Sequence, residues 1–447
     1  MKKFKISQTQ AIVIGFAAII FAGSILLNLP IASRNGYSIG FVNALFTATS
    51  AVCVTGLVVV DTYTHWSVFG QVIILFLIQV GGLGFMTLAT LFSLALGRKI
   101  SFKERLLIAE SLNQYSPQGM VKLIKDILLG TMIFEGIGAI ILSIRFAGQY
   151  GIKDGIFKGI FHSISAFCNA GFDLMGGSGQ FSSFSTYVED PVVNLTIMSL
   201  VIIGGLGFAV WEDVYKTRNF SELRVHTKLV LVVTTILIAF GFVFFMALEY
   251  SNPETLQPLS LKGKILGSMF QAVTPRTAGF NTLSLPDLTN ASKLITMVLM
   301  FIGGSPGSTA GGIKTTTAAV LLFAVISVLR GCKDVNVFKK RLEIEVIIRS
   351  LAIVLLSISV IISTTMVLSV FETATLFEYL FESTSAFGTV GLSMGITPKL
   401  SALGKLALII TMFMGRVGVL TMGMAINIKI QKTDTKLKYP VGKILVG

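Results

Sequence analysis

The chain has 447 residues, of which 53% are hydrophobic and 13% are charged, and its mean hydropathy is +0.81. A soluble protein of this length could not cover so much apolar surface with polar groups, so the composition excludes a soluble protein and indicates an integral membrane protein. The net charge of +14 would suit nucleic acid, but its positions along the chain favour a lipid bilayer as partner and no nucleic acid.

Eight apolar stretches are long enough to cross a bilayer as helices, which takes about 20 residues each. In chain order they are 10–29, 69–96, 123–147, 192–211, 226–248, 292–330, 346–370 and 402–428. The first is unlike a signal peptide, because Asn28-Leu29-Pro30 follows it instead of a small-residue cleavage site and further spans come after it. We interpret it as a retained span of a multi-pass protein.

Lysine and arginine collect in every second connection between these stretches, namely in 1–5, 98–125, 216–228, 330–349 and 429–443. By the positive-inside rule these segments are cytoplasmic. The sequence therefore predicts a protein of the cell membrane with both termini in the cytoplasm.

Each of the other connections contains a short apolar segment that ends in a glycine. The segments are NALFTATSAVCVTGL, KGIFHSISAFCNAGF, GSMFQAVTPRTAGF and EYLFESTSAFGTVGL, and their last glycines, Gly56, Gly171, Gly279 and Gly391, follow one another at intervals of 115, 108 and 112 residues. This regularity indicates four internal repeats. In the third copy Phe270 lies nine residues before its glycine instead of ten, which we interpret as a one-residue deletion at the Pro275 turn.

The repeats predict an all-α integral membrane protein of four parallel helix–pore helix–helix units around one pseudo-fourfold ion pore. The units cover 1–97, 98–216, 217–332 with a broken second helix, and 333–447 with a C-terminal tail. They are parallel because each begins and ends on the cytoplasmic side. Non-helical backbone at membrane depth needs a water-filled cavity, and the partly negative C-terminal ends of four short helices favour a cation there.

The glycine turns are candidates for an ion selectivity filter, in which rings of backbone carbonyls replace the water shell of an ion. The candidate filter residues, three in each repeat, are Val54, Thr55, Gly56, Asn169, Ala170, Gly171, Thr277, Ala278, Gly279, Thr389, Val390 and Gly391. Tight helix packing is the alternative role for glycine in membranes, and we prefer it for the GGLG segments at 81–84 and 204–207.

The segment Thr389-Val390-Gly391-Leu392 resembles the TVGYG signature. Four degenerate copies in one chain are similar to the superfamily of bacterial Trk and Ktr potassium transporters and plant and fungal Trk/HKT proteins, and the chain most resembles the membrane subunits of Ktr systems. The resemblance implies uptake of potassium, bound at the backbone carbonyls of the four glycines, and no enzymatic activity. In the superfamily a serine in the first repeat accompanies sodium permeability, so Gly56 argues for potassium; whether sodium is an activator stays open.

The resemblance also implies a homodimer and a cytosolic, nucleotide-binding regulatory ring (KtrA-like). We expect the ring to dock on the basic segments 98–125 and 330–349, and the apolar tail 438–447 to contribute to the dimer.

The sixth apolar stretch, 292–330, is too long for one straight span and contains FIGGSPGSTAGGIKTTTAAV. Its glycines and proline predict a loop in the pore on the cytoplasmic side of the filter, which can act as a gate with Arg416 of the last span as its hydrogen-bonding partner. The candidate gate residues are Gly303, Gly304, Ser305, Pro306, Gly307, Ser308, Thr309, Ala310, Gly311, Gly312, Ile313, Lys314, Thr315, Thr316 and Arg416. The alternative is a packing kink.

Two other functions compete with a gated pore. The loop resembles a phosphate-binding loop, which would indicate a nucleotide-hydrolysing enzyme, but Ile313 separates Gly312 from Lys314 and no strand precedes it. A secondary cation symporter with alternating access would use Glu135 of the third stretch as proton carrier, although parallel repeats do not favour it. Glu135 could instead form a structural salt bridge with Arg416.

The remaining polar residues give weaker indications. Arg276 should brace the filter loop through hydrogen bonds. Two roles stay open for three acids, which either gather cations at the pore mouth or are solvated loop residues: Asp61, Asp173 and Asp287. The histidines, His65, His162 and His226, form no evident ligand cluster, and the cysteines, Cys53, Cys168 and Cys332, fit small buried hydrophobes.

Overall fold

The computed structural model describes residues 7–84, 87, 106 and 120–426. The predicted basic segments 1–5 and 429–443, most of 98–125, the ends of the stretches 69–96 and 402–428, and the tail 438–447 lie outside these residues. Within them nearly all regular elements are helices, and they recur in the order long helix, short helix, glycine turn, third helix.

The first two sets of helices follow the same order. The first set contains α1 (Gln8–Leu27), α2 (Phe41–Val52), the single turn α3 (Thr62–His65) and α4 (Val68–Leu83). The second contains α5 (Met120–Tyr150), α6 (Ile152–Phe167), α7 (Pro191–Leu206) and α8 (Phe208–Thr217). Short 3₁₀ turns lie at Pro30–Ala32, Gly176–Ser178, Ser185–Tyr187 and Phe220–Glu222.

The other two sets of helices are joined by a small β-hairpin. The third set contains α9 (Val225–Glu249), α10 (Leu261–Val273), α11 (Asn290–Phe301) and α12 (Thr315–Leu329). The hairpin pairs β1 (Asn336–Val337) with β2 (Lys340–Arg341). The fourth set contains α13 (Ile344–Phe371), α14 (Leu376–Gly388), a 3₁₀ turn (Thr397–Lys399), α15 (Ala402–Val417) and α16 (Val419–Ile426).

The helices long and apolar enough to cross a membrane are fewer than the eight predicted stretches. By length and composition, α1, α5, α9 and α13 qualify within the described residues, and the bent pairs α7–α8 and α15–α16 raise the number to six. The third helices of the second and fourth sets fall short because their backbone changes direction where continuous spans were predicted. The bends are 94° at Gly207 and 97° at Gly418, and both glycines have a positive φ, as has Gly84 at the end of α4.

This finding corrects the prediction that the third set alone has a broken helix. The last glycine of each GGLG-like motif ends its helix with a left-handed turn, which glycine adopts without a Cβ clash. The third set differs in that its break is extended to 303–314 between α11 and α12. For Gly84, whose Cβ would meet nothing within 4 Å, the packing role predicted from GGLG is therefore wrong, whereas a Cβ on Gly207 would lie 2.7 Å from the Pro306 carbonyl oxygen.

The first glycines of the same motifs do serve close packing. A Cβ on Gly81 would lie 2.0 Å from the Val52 carbonyl oxygen, one on Gly204 2.0 Å from that of Phe167, and one on Gly415 1.9 Å from that of Phe387. In each case the third helix touches the end of a short helix, which fixes where the following turn begins.

Packing between the sets is cyclic. The third helix of each set packs against the short helix of the next, in the pairs α4–α6, α7–α10 and α11–α14, and α15 packs against α2 of the first set. The short helices are the centre of the core, since the motif phenylalanines Phe46, Phe161, Phe270 and Phe381 are all buried. The cyclic packing brings the four C-terminal ends of the short helices together.

Carboxylates at the far ends of the long helices fix the third helices. Glu249 of α9 accepts hydrogen bonds from Thr289 N (2.9 Å) and Oγ1 (2.7 Å) before α11, and Glu372 after α13 accepts them from Ser401 N (3.0 Å) and Oγ (2.6 Å) before α15. A negative group at a helix N-terminus satisfies free N–H donors and interacts favourably with the helix dipole. These caps hold each pair of helices in register.

We expect Gly204→Ala to lower the melting temperature of the purified protein, because a methyl group cannot fit against the Phe167 carbonyl and overpacking costs about 1–3 kcal/mol. The matched control is Gly136→Ala in α5, whose Cβ would meet nothing within 4 Å. Thermal unfolding followed by size-exclusion chromatography in detergent measures both. Equal melting temperatures for the two variants would show that the close approach is not needed.

Candidate ion-binding site

The four repeat glycines lie against one another in a closed ring. A Cβ on Gly56 would lie 2.4 Å from the Ala170 oxygen, one on Gly171 2.7 Å from that of Ala278, one on Gly279 2.4 Å from that of Val390, and one on Gly391 2.2 Å from that of Thr55. Each of these carbonyls belongs to the residue just before the next glycine. The chain therefore closes the ring with four backbone turns, and there is no room for a side chain at any of the four glycines.

The backbone of this ring repeats an uncommon conformation. The glycines have positive φ angles, and so do the residues two positions earlier, Val54 (58°), Asn169 (60°), Thr277 (68°) and Thr389 (51°). A left-handed backbone is unfavourable for β-branched residues such as valine and threonine, and such strain is kept where function constrains it. This conformation could not be predicted from the sequence, because valine and threonine have a low propensity for it.

A hydroxyl group behind each turn holds it, and the sequence analysis missed these residues. Ser50 and Ser385 accept hydrogen bonds from the N–H groups of Gly56 and Gly391, both at 3.1 Å. Ser165 donates to the Phe172 carbonyl at 2.7 Å, and Thr274 donates to the Phe280 carbonyl. The signal was present in the repeat, as a Ser or Thr six residues before the glycine, or five in the third copy.

The deletion inferred for the third copy is confirmed by the backbone. In three turns the residue before the glycine donates its N–H to a carbonyl five residues earlier, as Val390 does to Ser385 at 2.9 Å. In the third turn Ala278 donates to Thr274, only four residues earlier, also at 2.9 Å. The glycine still reaches the ring because the turn is tightened by one residue.

One side of the ring opens into a cavity of about 430 Å³, which we call the glycine cavity. It is lined by all four ring glycines and by Asp61, Asp173 and Lys399, among others. Of the three acids singled out in the sequence, Asp287 does not line it; its carboxylate accepts from Ser284 Oγ at 2.5 Å on the exposed surface.

The two acids of the glycine cavity differ in their surroundings. Asp61 caps α3 by accepting from Thr64 N at 2.8 Å, and it accepts from Phe181 N at 3.0 Å, so it joins the first and second sets of helices. Burial raises the pKa of Asp173 to about 7; the nearby Asp61 carboxylate also raises it, whereas the Met175 N–H and the Lys158 ammonium lower it. Asp173 therefore changes charge near neutral pH.

The loop 303–314 lies against the other side of the ring. Thr309 Oγ1 donates to the Phe167 carbonyl at 3.1 Å and lies 3.4 Å from Asn169 Oδ1. A Cβ on Gly311 would lie 2.0 Å from Thr389 Oγ1, and one on Gly303 3.3 Å from the Thr277 methyl group. The loop thus touches the first candidate filter residue in three of the four repeats.

Backbone hydrogen bonds hold the loop to the second set of helices. Ser305 N donates to the Gly205 carbonyl at 3.0 Å, and Phe208 N donates to the Gly307 carbonyl at 2.9 Å. Within the loop, Gly303 N donates to the Ile313 carbonyl at 2.9 Å. The break in α7–α8 at Gly207 therefore provides the surface on which the loop rests, a contact that the sequence analysis did not foresee.

Arg416 makes the contact with the loop that the sequence predicted. Its guanidinium donates to the Thr309 carbonyl, and also to the carbonyls of Gly81 (2.5 Å) and Gly82 (3.3 Å) in α4. The alternative salt bridge with Glu135 is absent from the described residues; Glu135 accepts from Gln79 Nε2 at 3.2 Å instead. Arg416 is satisfied by carbonyl dipoles, which leave its positive charge uncompensated by a carboxylate.

The loop does not have the geometry of a nucleotide site. Lys314 Nζ donates to the loop carbonyls of Ala310 (2.7 Å) and Gly311 (3.4 Å), and α11, a helix, precedes the loop where a phosphate loop requires a strand. The lysine that would contact a phosphate instead stabilises the loop itself.

A second cavity, of about 290 Å³, lies on the far side of the loop, and we call it the loop cavity. It is lined by loop residues including Gly307, Ser308 and Lys314, and by Arg416, and it shares no lining residue with the glycine cavity. The loop and the ring thus separate two cavities.

The other singled-out residues lie away from both cavities. The Arg276 guanidinium donates to the Thr234 carbonyl (3.4 Å) and hydroxyl (3.5 Å) in α9, which anchors the third turn as expected. Cys53 and Cys168 are buried, but Cys332 is exposed, so its prediction as a buried residue is wrong. The histidines form no metal cluster within the described residues.

Comparison with known proteins identifies the class of protein. A family model described as TrkH, cation transport protein, matches residues 4–436. The chain therefore belongs to the TrkH family of cation transport proteins, and its apolar helices are those of a multi-pass membrane protein.

Individual relatives agree with this membership. The chain is 45% identical to the Ktr system potassium uptake protein B of Bacillus subtilis (strain 168), over 100% of this chain and 98% of the relative. It is 40% identical to the potassium/sodium uptake protein NtpJ of Enterococcus hirae, over 99% and 98%. The crystal structure of the potassium transporter TrkH from Vibrio parahaemolyticus has a TM-score of 0.73 and 18% identity, over 95% of this chain and 86% of that chain, which shows a shared fold.

We expect cation transport to weaken as the pH on the side of the glycine cavity falls through about 7. Asp173 is an anion above that pH and neutral below it, so acidification removes a negative charge from the cavity. The pH dependence of KM for cation flux into liposomes measures this effect. Asp173→Asn should have a raised KM without that transition; a wild-type KM that does not change with pH would contradict the role of Asp173.

Proposed function

We propose that the protein takes up potassium across the cell membrane through a single pore, with the ring of four glycine turns as its selectivity filter. The observation that carries the proposal is the closed ring, in which each glycine Cα faces the carbonyl turn of its neighbour. Membership of a cation transport family and the printed names of the relatives, which describe potassium uptake, support potassium as the ion.

Backbone turns suit this task because carbonyl oxygens can replace the water shell of a potassium ion. A ring without side chains lets the carbonyls of the twelve filter residues, Val54 to Gly56, Asn169 to Gly171, Thr277 to Gly279 and Thr389 to Gly391, approach one axis. The C-terminal ends of α2, α6, α10 and α14 point their partly negative dipoles toward the same centre, which favours a cation there. The acids of the glycine cavity add to this attraction.

Glycine at the first of the four positions supports selectivity for potassium over sodium. A serine at Gly56 would place its Cβ against the Ala170 oxygen and displace one carbonyl turn. The Enterococcus relative is named for both potassium and sodium. A role of sodium as an activator is therefore tested separately, by measuring potassium flux with and without sodium.

The loop 303–314 is proposed as the gate. It covers the ring on the side of the loop cavity, and its hydrogen bonds run to α7, α8 and Arg416 as well as to Thr315 at the start of α12. Such contacts can be exchanged for others without unfolding a helix, as a two-state element requires. Arg416 would repel cations on the pore axis, and its bonds to Gly81 and Gly82 hold it to one side.

Control from the cytoplasm would come through partners. The glycine cavity is proposed to face outside and the loop cavity inside, with both termini cytoplasmic. The segment 330–349 carries exposed basic residues around the hairpin β1–β2, which suits the docking of a nucleotide-binding ring. The Bacillus relative is named as protein B of a Ktr system, and a system of several components supports a separate regulatory subunit. A second copy of the chain would complete the assembly.

Replacing Gly56 with serine should lower the ratio of potassium to sodium flux in liposomes severalfold, because one carbonyl turn is displaced. The matched control is Gly395→Ser: this glycine has a φ of 90°, close to the 87° of Gly56, and lines the glycine cavity, but a Cβ there would meet nothing within 4 Å. Equal selectivity of Gly56→Ser and the control would refute the filter.

Deleting residues 306–312 should raise potassium flux severalfold and reduce its dependence on the cytosolic partner, because the obstruction beneath the ring is removed. Thr309→Val, which removes the hydroxyl bond to Phe167, should give a smaller increase. Thr235→Val in α9 is the control, since its hydroxyl bonds only its own helix. A folded deletion variant with unchanged or lower flux would argue for a structural kink instead of a gate.

A further inference from the structure

The segment after Gly171 is held by two charged or polar side chains of its own short helix. His162 Nε2 accepts a hydrogen bond from Leu174 N at 3.0 Å, and Lys158 Nζ donates to the Leu174 carbonyl. Both polar groups of one backbone residue are thus bound by side chains of α6. Leu174 directly follows Asp173, so these bonds fix the backbone from which that carboxylate projects.

The histidine and lysine act as a unit. They are four residues apart and therefore share one face of α6, and His162 Nδ1 lies 2.7 Å from the Lys158 carbonyl. Because a carbonyl only accepts, Nδ1 carries the proton, which leaves Nε2 as the acceptor that Leu174 N–H requires. Both side chains are buried, with exposed fractions of 0% for His162 and 4% for Lys158.

The ammonium of Lys158 lies between two aromatic rings of different helix sets. It is 4.2 Å from the ring centroid of Tyr63, beyond α2, and 4.5 Å from that of Tyr150 at the end of α5. Cation–π attraction of this kind stabilises a buried ammonium that has no carboxylate in contact. Within the described residues no carboxylate oxygen lies within 4.0 Å of Lys158. The two tyrosine rings therefore hold the ammonium of Lys158 beside the Leu174 carbonyl.

The other repeats show that this arrangement is special to the second. Each copy has a buried polar residue after its motif phenylalanine, in the order Thr47, His162, Gln271 and Glu382. In the fourth copy Glu382 also holds the segment after the turn, by accepting from Thr397 Oγ1. Three residues before the phenylalanine the copies have Asn43, Lys158, Gly267 and Glu378, so the cation occurs once.

We propose that Lys158 and His162 are positioning residues for ion uptake, which hold the Leu174 backbone and thereby set the place and charge of Asp173 at the mouth of the pore. The proposal rests on the proposed function of the ring as a filter. It assigns to the second repeat a task that the fourfold pattern does not reveal, namely to couple the turn at Gly171 to the entry of cations.

The charges that face Asp173 make the proposal measurable. Asp61 acts on it from the turn before α3, Lys158 from α6, and Lys399 lines the same cavity from the fourth set. Lys158 lowers the pKa of Asp173, so its removal should shift the ionisation of Asp173 to higher pH. A lysine that merely stabilised the fold would not move that midpoint.

The experiment measures potassium uptake by the full chain with its cytosolic partner, in cells that lack other uptake systems, from about pH 5 to about pH 9. Lys158→Met should raise KM severalfold, leave the maximal rate within about twofold, and shift the pH midpoint of KM upward by roughly one unit. The matched control is Lys264→Met in α10, which removes a lysine whose ammonium lies 4.0 Å from the Tyr250 ring centroid and which does not line the glycine cavity.

The pair His162→Gln and His162→Leu provides a second test that does not depend on Lys158. Glutamine can still accept from Leu174 N–H and should keep KM near the wild-type value, whereas leucine should raise it as Lys158→Met does. If Lys158→Met fails to reach the membrane, this pair decides the question. Equal KM values for the two histidine variants, or a pH midpoint of Lys158→Met equal to that of Lys264→Met, would overturn the proposal.

Failure of this inference differs from failure of the filter. If Gly56→Ser leaves selectivity unchanged, the filter proposal fails whatever the lysine variants do. If Gly56→Ser changes selectivity and the lysine variants behave alike, only the positioning role is lost.

Discussion

The contact on which the structure depends is the approach of each glycine turn to the carbonyl of the next. With a Cβ only 2.2–2.7 Å from a carbonyl oxygen at all four positions, no other residue could close the ring without displacing backbone. The rest of the fold serves this approach: third helices pack against neighbouring short helices through Gly81, Gly204 and Gly415, and hydroxyls such as Ser50 and Ser385 hold the turns from behind. The strained φ of Val54 and Thr389 persists because so many contacts determine it.

The two faces of the ring depart from fourfold symmetry in different ways, one through a backbone loop and the other through two side chains. On one face, an extended break between α11 and α12 covers the turns and uses its own glycines to approach Thr389 and Thr277. On the other face, Lys158 and His162 hold the segment after Gly171 by hydrogen bonds to Leu174. A ring of four repeats built from one chain can carry such single features, which four identical subunits could not.

Buried charge in this protein is balanced largely by dipoles. Arg416 and Lys314 donate to carbonyl groups, Arg276 donates to Thr234, and Lys158 combines a carbonyl with two aromatic rings. Carbonyls and rings attract a cation without neutralising it, so the field of each cation still acts on its surroundings. Glu135 is bound by an amide and a thiol in the same way, which leaves no ion pair between it and Arg416.

The sequence by itself determined the helical, membrane-embedded class, the four repeats, the deletion in the third and the contact of Arg416 with the loop, because hydropathy and periodic glycines are properties of the chain alone. Only the tertiary structure decided which residues meet. The bends at Gly207 and Gly418 depend on φ angles that composition does not encode. Contacts between residues distant in sequence decide the exposure of Cys332, the separation of Asp287 from Asp173, and the hydrogen bonds of Lys158 and His162 to Leu174. The sequence indicated the four glycines that meet in the ring, but which carbonyl each one approaches depends on packing between the repeats.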